Sequence, residues 1–472
     1  MYILYSSLFY FVVVLFLPIW LPLCLIHPRL RFGLGQRLGM LPPLARKVCW
    51  VSEGGVIWLH AASLGEVNAL APVARELANQ LPKESFVFTC TTQAGVNQAA
   101  LVFPQALAHL VLPLDLPLFL APFLRAFPPK LALIAETELW PNFLRMLKDR
   151  RCLILVANGR MTERSFRRYR ALEGLFGQAL RRVDAFAMQG EEEARRVREL
   201  GAHPHKVTVA GNTKFDAGTG VEAARGQQAA LRRELRLESG APLLVVGSTR
   251  DGEEAVILRV FEGLARRHPG LVMVLAPRHL KRLGEVMRLV EKSGLPSATR
   301  SSLAQGRGEG ARVILLDTFG ELAAVYGLAD VAVVGGSFLD FGGQNPLEPA
   351  ALGVPVVFGP HMGNFAEIRA GLLEAGAAVQ VADEEELGRT LSALLKDPAR
   401  RHSMGKAGRK LVAEKSGAAS RVAALACKLH TIRNFRQENL DWRDKSAYQS
   451  TRVVEFGAGM AGRGKQKRSR GS

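Results

Sequence analysis

The chain has 472 residues, of which 48% are apolar, so it is long enough for two or three domains with large buried cores. Its net charge of +19 favours anionic partners, but it does not choose among nucleic acid, acidic lipids and phosphorylated substrates. The five cysteines form no CxxC pair and have no histidine at metal-ligand spacing, which argues against a thiolate metal site and fits a reducing compartment.

The N-terminal segment is the first predicted element. From Tyr2 to Ile26 there is no charged residue and no histidine, close to the ~20 apolar residues that cross a bilayer. The segment lacks a basic start and a small-residue cleavage site, so we expect residues 1–27 to remain as a membrane anchor. Basic residues follow it closely, which predicts a cytoplasmic location for the rest of the chain. Pro18 and Pro22 would kink a spanning helix, so an oblique anchor in one leaflet stays open.

Two series of short apolar runs follow the anchor and alternate with longer amphipathic segments. The first series runs from VIWLHA to VTVAGNT, and the second runs from PLLVVGST to AVQVAD. Strands separated by helical segments indicate a parallel sheet covered on both faces. The sequence therefore predicts an α/β protein with two Rossmann-like, doubly wound domains.

The domain boundaries are predicted from composition. We expect the first domain at residues 28–216 and the second at 229–430, with a Gly-rich linker at 217–228 between them. Residues 431–472 include GRGKQKRSRGS, a basic low-complexity end that we expect to be disordered.

Polar groups follow the predicted strands in both domains. In doubly wound sheets, ligands lie outside the carboxyl ends of the strands, and a purely structural protein has little reason to place such groups there. In the first domain these positions are Ser63–Glu66, Thr91–Gln93, Glu136–Trp140, Asn158–Arg160 and Asn212–Asp216. In the second they are Ser248–Glu254, Pro277–His279, Asp317–Glu321 and Gly335–Glu348.

The longest of these loops, GGSFLDFGGQNPLEP, has the clearest physical interpretation. Its paired glycines let the backbone approach a ligand closely, and Asn345 and Pro346 suit the start of a helix. The helix N-terminus would offer unpaired N–H groups to a phosphate, and Glu348 could accept hydrogen bonds from ribose hydroxyls. An ordinary capped helix with an acidic first turn is the alternative.

Glu66 follows the first soluble strand, in HAASLGE. On this stretch alone it is a first-turn carboxylate that complements a helix dipole. Because the sequence has no GxxxxGK[ST], no GxGxxG after any of the predicted strands, no DxD and no HExxH, a P-loop NTPase and a metal-dependent transferase are both disfavoured. GLGQRLG, at residues 33–39, resembles a phosphate loop only superficially.

Seven ordered motifs resemble the 3-deoxy-D-manno-octulosonic acid (Kdo) transferases of lipopolysaccharide synthesis, from the anchor to about residue 430. They are HAASLGE, ETELWPN, GNTKFD, APRH, DTFGEL, GGSFLDFGGQNPLEP and GPHMGNF. The resemblance implies a GT-B-type fold, with two Rossmann-like domains facing a central cleft and an N-terminal membrane anchor.

The resemblance also implies the chemistry. Such enzymes need no metal or other cofactor, and they move Kdo from CMP-Kdo to the lipid A precursor, with inversion, at the cytoplasmic face of the inner membrane. The implied partners are that precursor and anionic inner-leaflet lipids, without nucleic acid. Glu66 would be the general base, supported by Glu136 and Lys214. The implied CMP-binding residues are Pro277, Arg278, Phe319, Gly320, Glu321, Asn345, Pro346, Leu347 and Glu348.

Two positions depart from the family pattern. Gln344 and Arg250 stand where histidine is expected, and Arg250 fixes a positive charge there. Two other functions stay open. One is a two-domain transferase or epimerase using a UDP-sugar, and the other is a membrane-tethered nucleic-acid binder, although no basic patch interleaved with aromatics supports the latter.

Overall fold

The described residues of the computed structural model are 1–26, 31–43, 55–218, 221–238 and 240–435. They pack as two compact units. The first contains the described residues of 1–210 together with residues 420–435, and the second contains the described residues of 211–419.

The first unit is built on a seven-stranded parallel sheet with the strand order β3-β2-β1-β4-β5-β6-β7. Every residue of β1, β4 and β5 is buried, and because successive side chains point to opposite faces, both faces of these strands are covered. The strands are β1 Val56–His60, β2 Ser85–Cys90, β3 Ala108–Val111, β4 Pro129–Ala135, β5 Leu153–Gly159, β6 Ala185–Met188 and β7 Val207–Val209.

Nine helices precede, connect or cover these strands. They are α1 Tyr2–Ile26, α2 Leu34–Arg37, α3 Leu64–Gln80, α4 Gln93–Val102, α5 Pro117–Ala126, α6 Pro141–Asp149, α7 Glu163–Ala171, α8 Glu173–Arg182 and α9 Glu191–Glu199, counted over the described residues.

Helix α1 occupies most of the expected anchor. Its stretch Tyr2–Ile19 has a mean hydropathy of 2.1 and is not buried, so its length and composition suit a bilayer span. Its first turns also contact the rest of the first unit, where the Tyr5 hydroxyl donates a hydrogen bond to Asp115 (3.1 Å). Residue 27, the last of the expected anchor, lies outside the described residues.

The second unit contains another seven-stranded parallel sheet, with the order β10-β11-β9-β8-β12-β13-β14. The expected apolar runs all form strands, whereas β10 was not expected, because SAT is a three-residue edge strand without an apolar run. The strands are β8 Leu243–Thr249, β9 Val272–Pro277, β10 Ser297–Thr299, β11 Val313–Leu315, β12 Val331–Val334, β13 Val356–Phe358 and β14 Ala378–Gln380.

The helices of the second unit follow the same alternation. They are α10 Val221–Glu234, α11 Glu253–Arg267, α12 Leu283–Lys292, α13 Arg300–Ala304, α14 Leu322–Tyr326, α15 Leu347–Leu352, α16 Ala366–Glu374, α17 Glu384–Lys396 and α18 Pro398–Lys415. Residues 418–435 form a last helix, α19. The predicted pair of doubly wound parallel sheets is confirmed.

The division into units differs from the expected boundaries. It falls between residues 210 and 211, before the stretch 217–228 that we expected to be a linker. Residues 221–228 belong to α10, whose Ala224 is buried in the core of the second unit. Most of α19 packs with the first unit, where Arg421 donates to the Ala210 carbonyl (2.8 Å). Residues 436–472, most of the expected tail, lie outside the described residues.

The strand order of each sheet reverses near its centre, and that of the second sheet reverses again near its edge, where β11 lies between β10 and β9. In the first unit the central switch point lies between β1 and β4, and in the second it lies between β8 and β12. Ligands in open α/β sheets bind at such points. Glu66 follows β1, in the first turn of α3, and Glu136 follows β4. Arg250 follows β8, and the glycine-rich loop follows β12.

Candidate functional site

Glu66 lies in the first turn of α3, at the switch point of the first sheet. Its carboxylate accepts hydrogen bonds from the Ala62 N–H (2.8 Å) and the Ser63 hydroxyl (3.0 Å), and Ser63 caps the helix. Glu66 thus lies where a first-turn carboxylate complements the helix dipole, as expected from the sequence. The same bonds hold a half-buried carboxylate in one orientation, and no described residue forms an ion pair with it.

Two further glutamates follow β4, the neighbouring strand. Glu136 has a φ of 50°, a left-handed conformation that costs a non-glycine residue energy and is concentrated at functional sites. The Glu138 carboxylate accepts a hydrogen bond from Trp140 Nε1 (2.9 Å). Burial, followed by the charge of Glu136, raises the pKa of Glu138.

These carboxylates act on Glu66 electrostatically. Burial and the charges of Glu138 and Glu136 raise the pKa of Glu66 to about 7, against the opposing hydrogen bonds from Ala62 and Ser63. A carboxylate with a pKa near the working pH can accept a proton from a hydroxyl and release it again. The structure thus brings together Glu66, Glu136 and Glu138.

The GLGQRLG stretch packs against β3, the edge strand of the first sheet, and against the residue that follows β2. The Arg37 guanidinium donates to the Thr91 carbonyl (2.5 Å), and Gln36 Oε1 accepts the Val111 N–H (2.7 Å). A Cβ at Gly33 would lie 2.6 Å from Val111 Cγ2, so this glycine allows close packing of the chain. These contacts give the glycine a structural reason that needs no phosphate.

Lys214 lies in the second unit, in a short 3-10 helix at Thr213–Gly218. Its N–H donates to Asn212 Oδ1 (3.0 Å), and Asn212 Nδ2 donates to Glu367 Oε2 (2.6 Å). Asp216 accepts the Ala419 N–H (2.7 Å). This segment, which we expected in the first domain, is therefore fixed by the second unit.

A buried carboxylate, Glu253, organises the switch point of the second sheet. It is fully buried, and it accepts the N–H groups of Arg250 (2.8 Å), Gly336 (2.7 Å) and Phe338 (2.9 Å). These donors come from the loops that follow β8 and β12. Gly335 lets the two loops approach, since a Cβ there would lie 2.6 Å from Thr249 Cα. One side chain therefore ties both loops together.

Cations line the same edge of this sheet. Pro277 ends β9 and is buried, whereas Arg278 is exposed, and its N–H donates to the Thr249 carbonyl (3.0 Å). Arg250 Nη1 lies 2.8 Å from His279 Nε2. Burial and the charge of Arg278 lower the pKa of Arg250. This concentration of positive charge suits an anionic ligand.

The expected helix after the glycine-rich loop begins one residue later than predicted, because Pro346 and not Asn345 is its N-cap residue. It is α15, Leu347–Leu352, so only six residues contribute to its dipole, and Pro346 precedes it. Asn345 Oδ1 accepts the Leu347 N–H (3.1 Å), and Asn345 Nδ2 donates to Glu348 Oε1 (3.2 Å). Burial raises the pKa of Glu348, opposed by Asn345 and by Arg278, which places Glu348 beside the cations.

The segment Phe319–Glu321 follows β11, two strands away from β8. Phe319 is 85% exposed, and Gly320 has a φ of 83°. The Glu321 carboxylate, in contrast, accepts hydrogen bonds from Arg300 Nε (2.9 Å) and Nη2 (3.0 Å) and from Thr318. The side chain of Glu321 is thus engaged within the protein, and the exposed groups of this turn are Phe319 and the backbone.

Sequence reasoning did not assign a role to Glu253 or to the pairing of Arg250 with His279. The available signal was the DGEE sequence directly after β8, which places two acidic residues in the first turn of α11. Over the residues that the structure describes, no group of three His, Cys, Asp or Glu side chains could hold a metal ion.

Comparisons with known proteins give matches in both halves of the chain. Residues 32–217 match the family model described as 3-Deoxy-D-manno-octulosonic-acid transferase (kdotransferase), and residues 251–411 match Glycosyl transferases group 1. A 3-deoxy-D-manno-octulosonic acid transferase of Haemophilus influenzae is 35% identical over 399 residues, which cover 84% of this chain and 91% of that protein. The Bordetella pertussis protein of the same name is 33% identical over 378 residues, with coverages of 77% and 85%.

A solved structure is similar at the level of fold. UDP-GlcNAc 2-epimerase from Neisseria meningitidis, crystallised with UDP-GlcNAc, gives a TM-score of 0.51 at 14% sequence identity, covering 79% of this chain and 99% of that one. This likeness shows a shared two-domain α/β fold.

Proposed function

The chain belongs to the Kdo transferase family of glycosyltransferases, and on that premise we propose that it transfers Kdo from CMP-Kdo to the lipid A precursor, lipid IVA, with Glu66 as the general base. The observation that carries the proposal is the state of Glu66. It is a half-buried carboxylate without an ion pair among the described residues, and its pKa is raised to about 7 by burial and by two neighbouring glutamates.

Glu66 supplies the base that the transfer needs. An acceptor hydroxyl gives its proton to the Glu66 carboxylate while its oxygen forms a bond to the anomeric carbon of Kdo. The bond from that carbon to the phosphate oxygen breaks, and CMP leaves with the electron pair. Attack opposite the leaving group inverts the configuration. Glu138 and Glu136 contribute by keeping Glu66 basic enough to take the proton.

Positive charge stabilises the departing CMP in this proposal. Arg278 is exposed at the end of β9 and has no ion pair among the described residues, so its guanidinium is available for the phosphate. Lys214 supports the transition state as a second cation, and these side chains supply the charge that a metal ion would otherwise give, so we propose a metal-independent reaction.

The remaining predicted donor contacts come from the start of α15 and from the turn that follows β11. Asn345 and Glu348 form one hydrogen-bonded unit beside Arg278, which suits recognition of ribose hydroxyls by the second oxygen of Glu348. Pro346 and Leu347 form the N-terminal end of α15. Gly320 and Phe319 contribute backbone and ring surface, and Glu321 acts by holding that turn through Arg300.

The membrane location is also part of the proposal. Helix α1 is apolar and exposed, and a net charge of +19 suits an anionic inner leaflet and a phosphorylated acceptor. We place the two units on the cytoplasmic side, where CMP-Kdo is available.

The proposal is tested by mass spectrometry of a tetraacylated lipid A precursor incubated with CMP-Kdo and the full-length protein, with EDTA present to remove free divalent metal. We expect the acceptor mass to increase by one or more Kdo residues, with release of CMP. Calorimetric titration with CMP, UMP and UDP separates this function from that of a UDP-sugar enzyme. Tighter binding of UDP than of CMP, together with no transfer of Kdo, would reject the proposal.

A further inference from the structure

Arg250 has an unusual environment at the end of β8. Its guanidinium lies over the Phe341 ring, 5.4 Å from the ring centroid, and Nη1 lies 2.8 Å from His279 Nε2. Its Nε is buried without a hydrogen-bond partner, and no carboxylate among the described residues forms an ion pair with it. Arg282, by comparison, forms ion pairs with Glu254 (2.8 Å) and two other carboxylates.

The contact with His279 fixes its tautomer. A guanidinium can only donate hydrogen bonds, so Nε2 of His279 accepts and the ring proton lies on Nδ1. Burial, Arg250 and Arg278 lower the pKa of His279, which keeps the ring neutral near pH 7. The unused donors are therefore Nε and Nη2 of Arg250 and Nδ1–H of His279.

Glu253 holds this arrangement in place from the interior. It accepts the backbone N–H of Arg250 on one side and the N–H groups of Gly336 and Phe338 on the other, close to Phe341 in the same loop. Both parts of the environment are thus fixed to one buried carboxylate. Donors held in place before a ligand arrives bind an anion with less loss of entropy.

We propose that Arg250, His279 and Phe341 form a subsite for a second anionic group of the donor, a carboxylate on the carbon bonded to the leaving phosphate. Arg278 takes the phosphate itself. In a sugar acid of this kind, two atoms separate the carboxylate carbon from phosphorus, so the two anions need two neighbouring cations. Arg250 and Arg278 are such neighbours, since the charge of Arg278 acts on Arg250, and the Arg278 N–H donates to the carbonyl of Thr249, the residue before Arg250. This subsite rests on the proposed function and deepens it.

The test compares Arg250→Gln with Arg278→Gln, and with Arg267→Gln as a charge-matched control on the exposed end of α11. Calorimetry gives the affinity for CMP, which has no carboxylate, and steady-state kinetics give KM for CMP-Kdo. We expect Arg250→Gln to raise KM for CMP-Kdo by about 10- to 100-fold while the CMP affinity changes by less than about threefold. Arg278→Gln should weaken both, and Arg267→Gln should change neither.

A second probe does not depend on turnover. CDP carries two adjacent anionic groups, so the wild-type protein should bind CDP more tightly than CMP, and Arg250→Gln should remove this preference. Equal loss of CMP and CMP-Kdo binding in Arg250→Gln would overturn the subsite, because Arg250 would then belong to the nucleotide site. An unchanged KM would overturn it as well. If Kdo transfer by the wild-type protein is normal in these cases, the proposed function stands. If the wild-type protein binds no CMP, both fail.

Discussion

The switch points of the two sheets concentrate opposite charge. In the first unit, burial and the charges of Glu138 and Glu136 raise the pKa of Glu66 to about 7. In the second unit, burial and the charge of Arg278 lower the pKa of Arg250. We therefore propose that the same sheet architecture supplies a proton acceptor at one point and binds an anion at the other. The predictions below separate these two roles.

The largest expected effect is loss of the base. Glu66→Gln keeps the hydrogen-bonding shape of the side chain but cannot take a proton, so we expect kcat to fall by about 10²- to 10⁴-fold. CMP affinity should stay within about twofold, because the second unit is unchanged. Transfer assays and calorimetry measure the two quantities. Glu173→Gln, which removes an exposed carboxylate of the same unit, is the control. Near wild-type turnover in Glu66→Gln would place the base elsewhere.

At Arg278, a substitution should weaken nucleotide binding and leave the pH dependence of the reaction unchanged. Arg278→Gln removes a charge-assisted hydrogen bond to the phosphate, so CMP should bind about 10- to 100-fold more weakly. The rise in KM for CMP-Kdo should be similar, whereas the pH dependence of the reaction should stay as in the wild type. Calorimetry with CMP checks the first result. Unchanged CMP affinity would show that the phosphate binds to other groups.

Most of the strands, and the polar residues that directly follow them, could be predicted from the sequence for a physical reason. Strands that are buried on both faces give apolar runs that can be recognised in the sequence. β10 has no such run, because it is a short edge strand. Residues directly after strands could be located as well, including Glu66 and Arg278. The ion pair of Glu321 with Arg300, and the bonds of Glu253 to Gly336 and Phe338, join segments far apart in the chain. No local spacing reveals such contacts.

The stability of the protein should depend on Glu253, because this residue links the loops that follow β8 and β12. Glu253→Gln replaces one carboxylate oxygen by an amide that faces backbone N–H donors, leaving at least one of them without an acceptor. We expect the free energy of unfolding to fall by about 1–3 kcal/mol. Glu291→Gln, on the exposed face of α12, should change it by less than about 0.5 kcal/mol. Equal denaturation curves for the two variants would contradict this role.

The smallest effect is expected at Glu138. Glu138→Gln removes a negative charge that opposes ionisation of Glu66, so the pKa of Glu66 should fall. Because the base works in its ionised form, the acidic limb of the pH profile of kcat/KM should move to lower pH. Turnover at pH 8 should decrease by less than about tenfold, since a weaker base remains in place. A limb that moves to higher pH would contradict the assigned sign.

The central claim is that transfer depends on one carboxylate, Glu66, whose pKa is raised by burial and by its like-charged neighbours. The direct measurement is the pH dependence of single-turnover Kdo transfer at saturating CMP-Kdo, for the wild-type protein and for Glu66→Gln. The account predicts an acidic limb with an apparent pKa of about 7 in the wild type, and no such limb in the residual activity of the variant. A limb near the ordinary value of 4.5, or the same limb in both proteins, would contradict it.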